Sequence, residues 1–227
     1  MTGRSIAIVV AAGSGERLGA TEPKAFVELD GVPLVVRAAR SALACPSILS
    51  VVVAVPAGRE ARAEELLAEV GPHAVVAGGE TRQASVRAAL AVAADEAEVI
   101  LVHDAARPFA TPELFSAVHD AVAEADGAVP VVQPADTVKR VSDGWIGGTD
   151  AREGIGLAQT PQAFRAAALR ESHERALGEA RTFTDDAALL EWAGFRIRAV
   201  PGDPANFKVT TAEDLERARL IAERVRG

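Results

Sequence analysis

Lysine is scarce in this chain. Of its 24 cationic residues 21 are arginine, and the three lysines are Lys24, Lys139 and Lys208. Lysine persists in such a background where a compact charge on a flexible stem is needed and a guanidinium fork does not fit. All three are therefore candidate site residues, against the plainer reading of three surface cations. Lys24 ends the segment Ala11-Ala12-Gly13-Ser14-Gly15-Glu16-Arg17-Leu18-Gly19 through Glu22-Pro23-Lys24. Glycines there can present backbone N–H groups to a phosphate, and Arg17 and Lys24 add fixed positive charge. Two familiar phosphate loops fail at one position. Leu18 stands where both the P-loop and the dinucleotide fingerprint require glycine.

Two further loops carry groups suited to a nucleotide. Gly78-Gly79-Glu80-Thr81-Arg82-Gln83-Ala84-Ser85 pairs glycines, which permit close backbone approach, with hydrogen-bonding groups on Glu80 and Ser85 suited to a base edge or hydroxyl. The plain alternative is a turn and helix cap, with Ser85 serving its own helix. His103-Asp104-Ala105-Ala106-Arg107-Pro108 places Asp104 to accept from ribose hydroxyls or help hold a cation. Arg107 can pair with Asp104 or with a phosphate. His103 is expected to pack inward, because neighbouring strand residues point to opposite faces. The four histidines show no ligand spacing. Lys208, in Asn206-Phe207-Lys208-Val209-Thr210, precedes a final helix from about Thr211.

These loops need a scaffold that brings them together, and strand–helix alternation supplies one. Buried-strand runs are expected at Ile6 to Val10, Val51 to Val55, Ala74 to Val76, Val99 to Val102 and Ala128 to Val132. Helical periodicity covers Leu34 to Ala44, Arg59 to Val70, Ser85 to Ala94 and Pro112 to Ala125. After these come helices at Phe164 to Leu177 and Asp185 to Trp192, then a strand at Arg196 to Val200. The expectation is one α/β domain, residues 1–227, built as a three-layer sandwich on a mostly parallel central sheet. Its ligands would lie beyond the carboxyl ends of the strands.

The rhythm breaks from Asp136 to Gly156. Alternating residues there flank Ser142-Asp143-Gly144, a hairpin cue. A protruding arm at about 134–157, with Trp145 uncovered, would expose two edges, and a second copy of the chain is the simplest cover. An arm folded back on its own domain is the alternative.

Composition narrows the class. A net charge of −8 argues against general affinity for nucleic-acid backbones or anionic membranes, though not against a phosphorylated small molecule. Cys45 is the single cysteine, so neither an intrachain disulfide nor a cysteine zinc site is available. No uninterrupted apolar run reaches the ~18 residues of a transmembrane helix, and no leader pattern precedes Ile6, so a cytoplasmic protein is expected.

Ala-Ala-Gly-Ser-Gly-Glu-Arg-Leu with Pro-Lys, Gly-Gly-x-x-Arg-x-x-Ser, His-Asp-Ala-Ala-Arg-Pro, Asp-Thr-Val-Lys, Thr-Pro-Gln, Thr-Asp-Asp-Ala and Phe-Lys-Val-Thr occur in that order. As a set they resemble the 2-C-methyl-D-erythritol 4-phosphate cytidylyltransferase family over essentially the whole chain. The resemblance implies a Rossmann-like nucleotidyltransferase fold and a Mg2+-dependent transfer of CMP from CTP, with a homodimer sharing sites through the arm. It implies catalytic roles for Arg17 and Lys24. Ala11, Ala12, Gly13, Gly15, Gly79, Glu80, Arg82, Ser85 and Asp104 would hold the nucleotide. Arg107, Thr137, Arg152 and Lys208 would hold the methylerythritol phosphate. Metal ligands stay unassigned, with Asp104 a candidate. Val10 departs from a proline frequent in the family, and Glu80 from an aspartate. Ribitol-phosphate cytidylyltransferases are the near alternative, but tend to open with Ala-Gly-Gly and Gly-Thr-Arg-Met-Gly. A non-catalytic nucleotide-binding module is the distant one.

Overall fold

Ser-Ile-Ala-Ile-Val-Val reads as a strand with no polar face, and Ser5–Val10 (β1) lies at the centre of the sheet, buried along most of its length. The computed structural model describes residues 4–13, 15 and 22–226. Arg17 lies outside the described residues. From β1 the chain runs through the short pair Glu28–Leu29 (β2) and Val32–Pro33 (β3) into Leu34–Leu43 (α1). Ile48–Val55 (β4), Glu60–Leu67 (α2), His73–Ala77 (β5), Arg82–Leu90 (α3), Val99–Asp104 (β6), Pro112–Ala121 (α4) and Gly127–Val132 (β7) continue the alternation. Val138–Ser142 (β8) and Trp145–Asp150 (β9) form the arm. Leu157–Ala158 (β10), Gln162–Arg165 (β11), Ala166–Gly178 (α5), Asp186–Ala193 (α6), Ile197–Pro201 (β12) and Ala212–Arg226 (α7) complete the chain.

Among the described residues the main sheet has eight strands in the order β10-β7-β11-β6-β1-β4-β5, with β12 against β7. The pairs β5–β4, β4–β1, β1–β6 and β12–β7 are parallel, whereas β11 and β10 run against their neighbours. The sheet is thus mixed, with the expected parallel core. Alternate β1 residues feed two cores. Ala7 and Val9 pack with α1 and α4, while Ile6 and Ile8 pack with α3, α5 and α6. Those are the three layers.

One boundary is corrected. Helix α5 begins at Ala166, because residues 162–165 form β11, inserted between β6 and β7. Phe164 is a fully buried strand residue opposite Ile100. Four residues running directly into Ala-Ala-Ala carry too little period to separate strand from helix.

The arm forms as expected from Asp-Gly. Asp143 and Gly144 have φ of 50° and 83°, the left-handed pair of a tight hairpin turn, and β8–β9 is a sheet of its own. Trp145 is 80% exposed, with Val141 and Ile146 also largely uncovered. A third apolar cluster packs α7 residues Leu215 and Ala218 against Leu29, Leu34 and Val209. Among the described residues no helix is long and apolar enough to cross a membrane.

Candidate active site

The carboxyl ends of β1, β5 and β6 open into one cleft. Its walls bring together Ala11, Ala12 and Gly13 from the first loop, Gly79, Glu80, Arg82 and Ser85 from the second, and Asp104 from β6. Lys24 and Lys208 complete the lining. Two of the three scarce lysines therefore meet here, although 184 residues apart. The third, Lys139, donates across the arm to Thr149 Oγ1 at 2.6 Å. Gly15 and Arg107 are outside this lining, as are Thr137 and Arg152 on the arm.

Close packing of two loops shapes the nucleotide side. A Cβ on Gly78 would come within 2.5 Å of the Ala12 Cβ and 2.9 Å of Ser85 Oγ, so only glycine lets the second loop lie against the first. Thr81 caps α3 by accepting from Ala84 N. Ser85 Oγ accepts from Gly79 N at 3.1 Å and donates to Thr81 O at 3.0 Å. Ser85 thus braces the loop and its helix while also lining the cleft.

Lys24 stands in a short 3-10 turn entered through Pro23, with Nζ donating to Val209 O at 2.7 Å. Val209 N in turn donates to Ala106 O, which ties the segment carrying Lys208 to the end of β6. Gly15, at φ +73°, lies so close that a Cβ there would sit 2.5 Å from the Lys24 Cβ. Gly15 therefore acts on the cleft through the placement of Lys24.

Asp104 is the electrostatic hinge. Its Oδ1 accepts from Arg82 Nε at 3.1 Å, and its Oδ2 from Lys208 Nζ at 2.6 Å. Burial alone would raise this carboxyl, but the charges of Arg82 and Lys208 outweigh it and hold the group well below the usual carboxylate range. Arg82 reaches a second carboxylate too, with Nη1 2.5 Å from Asp186 Oδ2. Among the described residues the cleft lining carries three cations against two carboxylates, a balance suited to a polyanion.

His103 is packed inward as expected, against Phe115 with ring centroids 5.1 Å apart. Thr160 Oγ1 accepts from Asp104 N and contacts His103 Nδ1 at 3.0 Å, while His103 Nε2 donates to Arg107 O. Burial pushes the imidazole down to about 4. The residue is a neutral strut, not a proton carrier.

Arg107 donates to the carbonyls of Asn206 and Ala158, bridging the Lys208 segment to β10. Arg152 is exposed and donates to Ala135 O at 2.7 Å, at the base of the arm. Asp186 was not assigned from sequence. It lies inside the Thr-Asp-Asp-Ala motif, but only the fold brings it across 104 positions to Arg82.

Comparison with known proteins gives a consistent picture. The family described as 2-C-methyl-D-erythritol 4-phosphate cytidylyltransferase matches residues 5–224. A protein of that name from Deinococcus radiodurans is 46% identical over 224 residues, covering 99% of this chain and 92% of the relative. A bifunctional enzyme IspD/IspF from Clavibacter michiganensis is also 46% identical, over 97% of this chain but 55% of the relative. The chain thus spans about half the length of such bifunctional relatives. Among solved structures, the 2-C-methyl-D-erythritol 4-phosphate cytidylyltransferase of Thermus thermophilus aligns with a TM-score of 0.81 and 33% identity, over 96% of this chain and 98% of that one. A 4-diphosphocytidyl-2C-methyl-D-erythritol synthase from Anaerococcus prevotii aligns with a TM-score of 0.88 and 27% identity, over 99% and 100%.

Proposed function

The chain belongs to the 2-C-methyl-D-erythritol 4-phosphate cytidylyltransferase family, and from that premise we propose that it transfers CMP from CTP to 2-C-methyl-D-erythritol 4-phosphate. A phosphate oxygen of the acceptor attacks the α-phosphorus of CTP, the α–β bridging P–O bond breaks, and pyrophosphate leaves. The observation that carries this reading is the single cleft uniting both glycine loops with Asp104, Lys24 and Lys208.

The acceptor already presents an anionic oxygen, so the reaction needs no strong general base. The barrier lies in bringing a dianion to a triphosphate and in stabilising charge at the α-phosphorus. Positioned cations supply that without reorganising. Lys24, held by Val209 O beside the first loop, would act on the CTP phosphates; Arg17, outside the described residues, is assigned the same role by the family resemblance alone. The second loop and Ser85 form the base and ribose wall. Lys208, 41% exposed at its side chain, is free to turn from Asp104 toward an acceptor phosphate.

The donor set suits Mg2+ carried mainly by substrate phosphates. Among the described residues no group of three or more His, Cys, Asp or Glu side chains is placed to hold an ion. Glu80 and Asp104 are the carboxylates of the cleft lining among the described residues, and Asp104, whose oxygens accept from Arg82 and Lys208, is the candidate to contribute; Mg2+ usually keeps one or two carboxylates beside phosphate oxygens. Bound there, the ion would neutralise phosphate charge.

Thr137 and Arg152 sit on the arm, outside the cleft of their own protomer, and the arm carries uncovered Trp145, Val141 and Ile146. These positions support a homodimer in which each arm completes the partner's acceptor site. Release of pyrophosphate from CTP, measured with methylerythritol phosphate and ribitol phosphate in separate reactions, tests the reading. Faster release with ribitol phosphate would replace the acceptor.

A further inference from the structure

Asp186 stands behind the cleft at the start of α6, 1% exposed, and does not line the cleft itself. It receives hydrogen bonds from two sides. Arg82 Nη1 donates to Oδ2 at 2.5 Å, and His173 Nε2, on α5 and 2% exposed, donates to Oδ1 at 3.3 Å. The helix does not need Asp186 as its cap, because Asp185 fills that role by accepting from Ala188 N.

Burial by itself would raise the Asp186 carboxyl, but the Arg82 charge and the His173 hydrogen bond hold it below the ordinary range. Burying such an ion pair is seldom the most stable choice for a core, since apolar packing of similar volume serves as well. Its retention here has a geometric consequence. A guanidinium is a rigid planar fork. With Nη1 fixed on Asp186 and Nε on Asp104 at 3.1 Å, the plane of the Arg82 group is determined. The remaining nitrogen, Nη2, has no acceptor among the described residues, in a side chain that lines the cleft. The same clamp gives Arg82 only one oxygen of Asp104 and leaves the other to Lys208.

We propose that Asp186, backed by His173, is a positioning residue that holds Arg82 in the orientation the nucleotide meets and divides Asp104 between Arg82 and Lys208. The inference rests on the reading of the cleft as a CTP site.

A double-mutant cycle on CTP binding, followed by titration calorimetry, tests it with wild type, Arg82→Gln, Asp186→Asn and the double variant. Each single change is expected to weaken CTP on the order of 10-fold, and the double variant no more than Arg82→Gln alone. Field effects oppose this. Removing the Asp186 carboxylate leaves Arg82 paired with Asp104 alone and the site one negative charge poorer, which would tighten a polyanion if long-range charge were all that mattered. Unchanged or tighter binding by Asp186→Asn overturns the inference, as do losses that multiply in the double variant. If Asp186→Asn does not fold, His173→Phe takes its place. Its loss in CTP affinity should vanish in the Arg82→Gln background, and persistence of the full loss there overturns the proposal. The proposed reaction fails separately. A wild type that binds CTP yet releases no pyrophosphate contradicts the transfer and leaves the binding cycle to decide, and one that binds no CTP overturns both.

Discussion

Lys208 and Asp104, 104 positions apart in the chain, meet with the ammonium nitrogen 2.6 Å from Oδ2. The contact joins the approach to α7 to the end of β6, and it places a half-exposed cation beside a carboxylate that stays ionised. Both residues line the cleft, and the proposed reaction assigns Lys208 to the acceptor phosphate.

Lys208→Ala is accordingly expected to raise the Michaelis constant for the acceptor phosphate more than that for CTP. Titrating each substrate at saturating concentrations of the other measures the split. A larger loss for CTP would assign Lys208 to the nucleotide.

Lys24→Ala should lower turnover on the order of 100-fold or more while weakening CTP far less, as for removal of a charge that acts mainly in the transition state. Arg17→Ala is expected to do the same. Lys24→Arg should also be poor, because the wide fork does not reproduce a point charge. A raised Michaelis constant with unchanged turnover for Lys24→Ala would contradict the role. Gly15→Ala offers a quieter route to the same defect. It forces a left-handed residue to carry a Cβ 2.5 Å from the Lys24 Cβ, and turnover should fall without loss of the overall fold as read by circular dichroism.

The buried His103 gives a pH dependence of stability. Its imidazole titrates at about 4 when folded, against 6.5 for the ordinary group. The unfolded chain therefore binds the proton first as pH falls. The contribution is fully present above pH 6.5 and is lost progressively down to about 4, on the order of 3 kcal/mol in total. Thermal unfolding between these values should show the midpoint falling with acidity. His103→Gln should be less stable at neutral pH yet show a flatter slope, and an equal slope would place the effect elsewhere.

The arm gives a test by mixing. Lys24→Ala and Arg152→Ala are each expected to be inactive, but in a mixed dimer one site has its own Lys24 and an intact Arg152 from the partner. After equal mixing and subunit exchange, roughly a quarter of normal activity should return. Complete silence after demonstrated exchange would mean that Arg152 serves its own protomer.

Much of this architecture is legible in the residues. Continuous apolar runs such as Ile6 to Val10 mark strands buried on both faces, and Asp143-Gly144 marks the arm's turn. The scarcity of lysine points to all three lysines, of which Lys24 and Lys208 line the cleft while Lys139 bonds to Thr149 within the arm. What escaped has physical reasons. Strand β11 is four residues long and merges into an alanine-rich helix, so its period is too short to read. Asp186 and His173 act through contacts across the fold, which spacing along the chain does not encode. Arg107 carries a loop-bridging role that its side-chain chemistry alone does not distinguish from phosphate binding.

Phosphorus NMR of the protein with CTP, Mg2+ and 2-C-methyl-D-erythritol 4-phosphate reads the transfer itself. Loss of the acceptor's phosphomonoester signal is expected in step with the appearance of a diphosphate diester and free pyrophosphate, with no such change when CTP or the acceptor is left out. CTP that binds while the phosphomonoester persists, or pyrophosphate that forms without any diester, would contradict it.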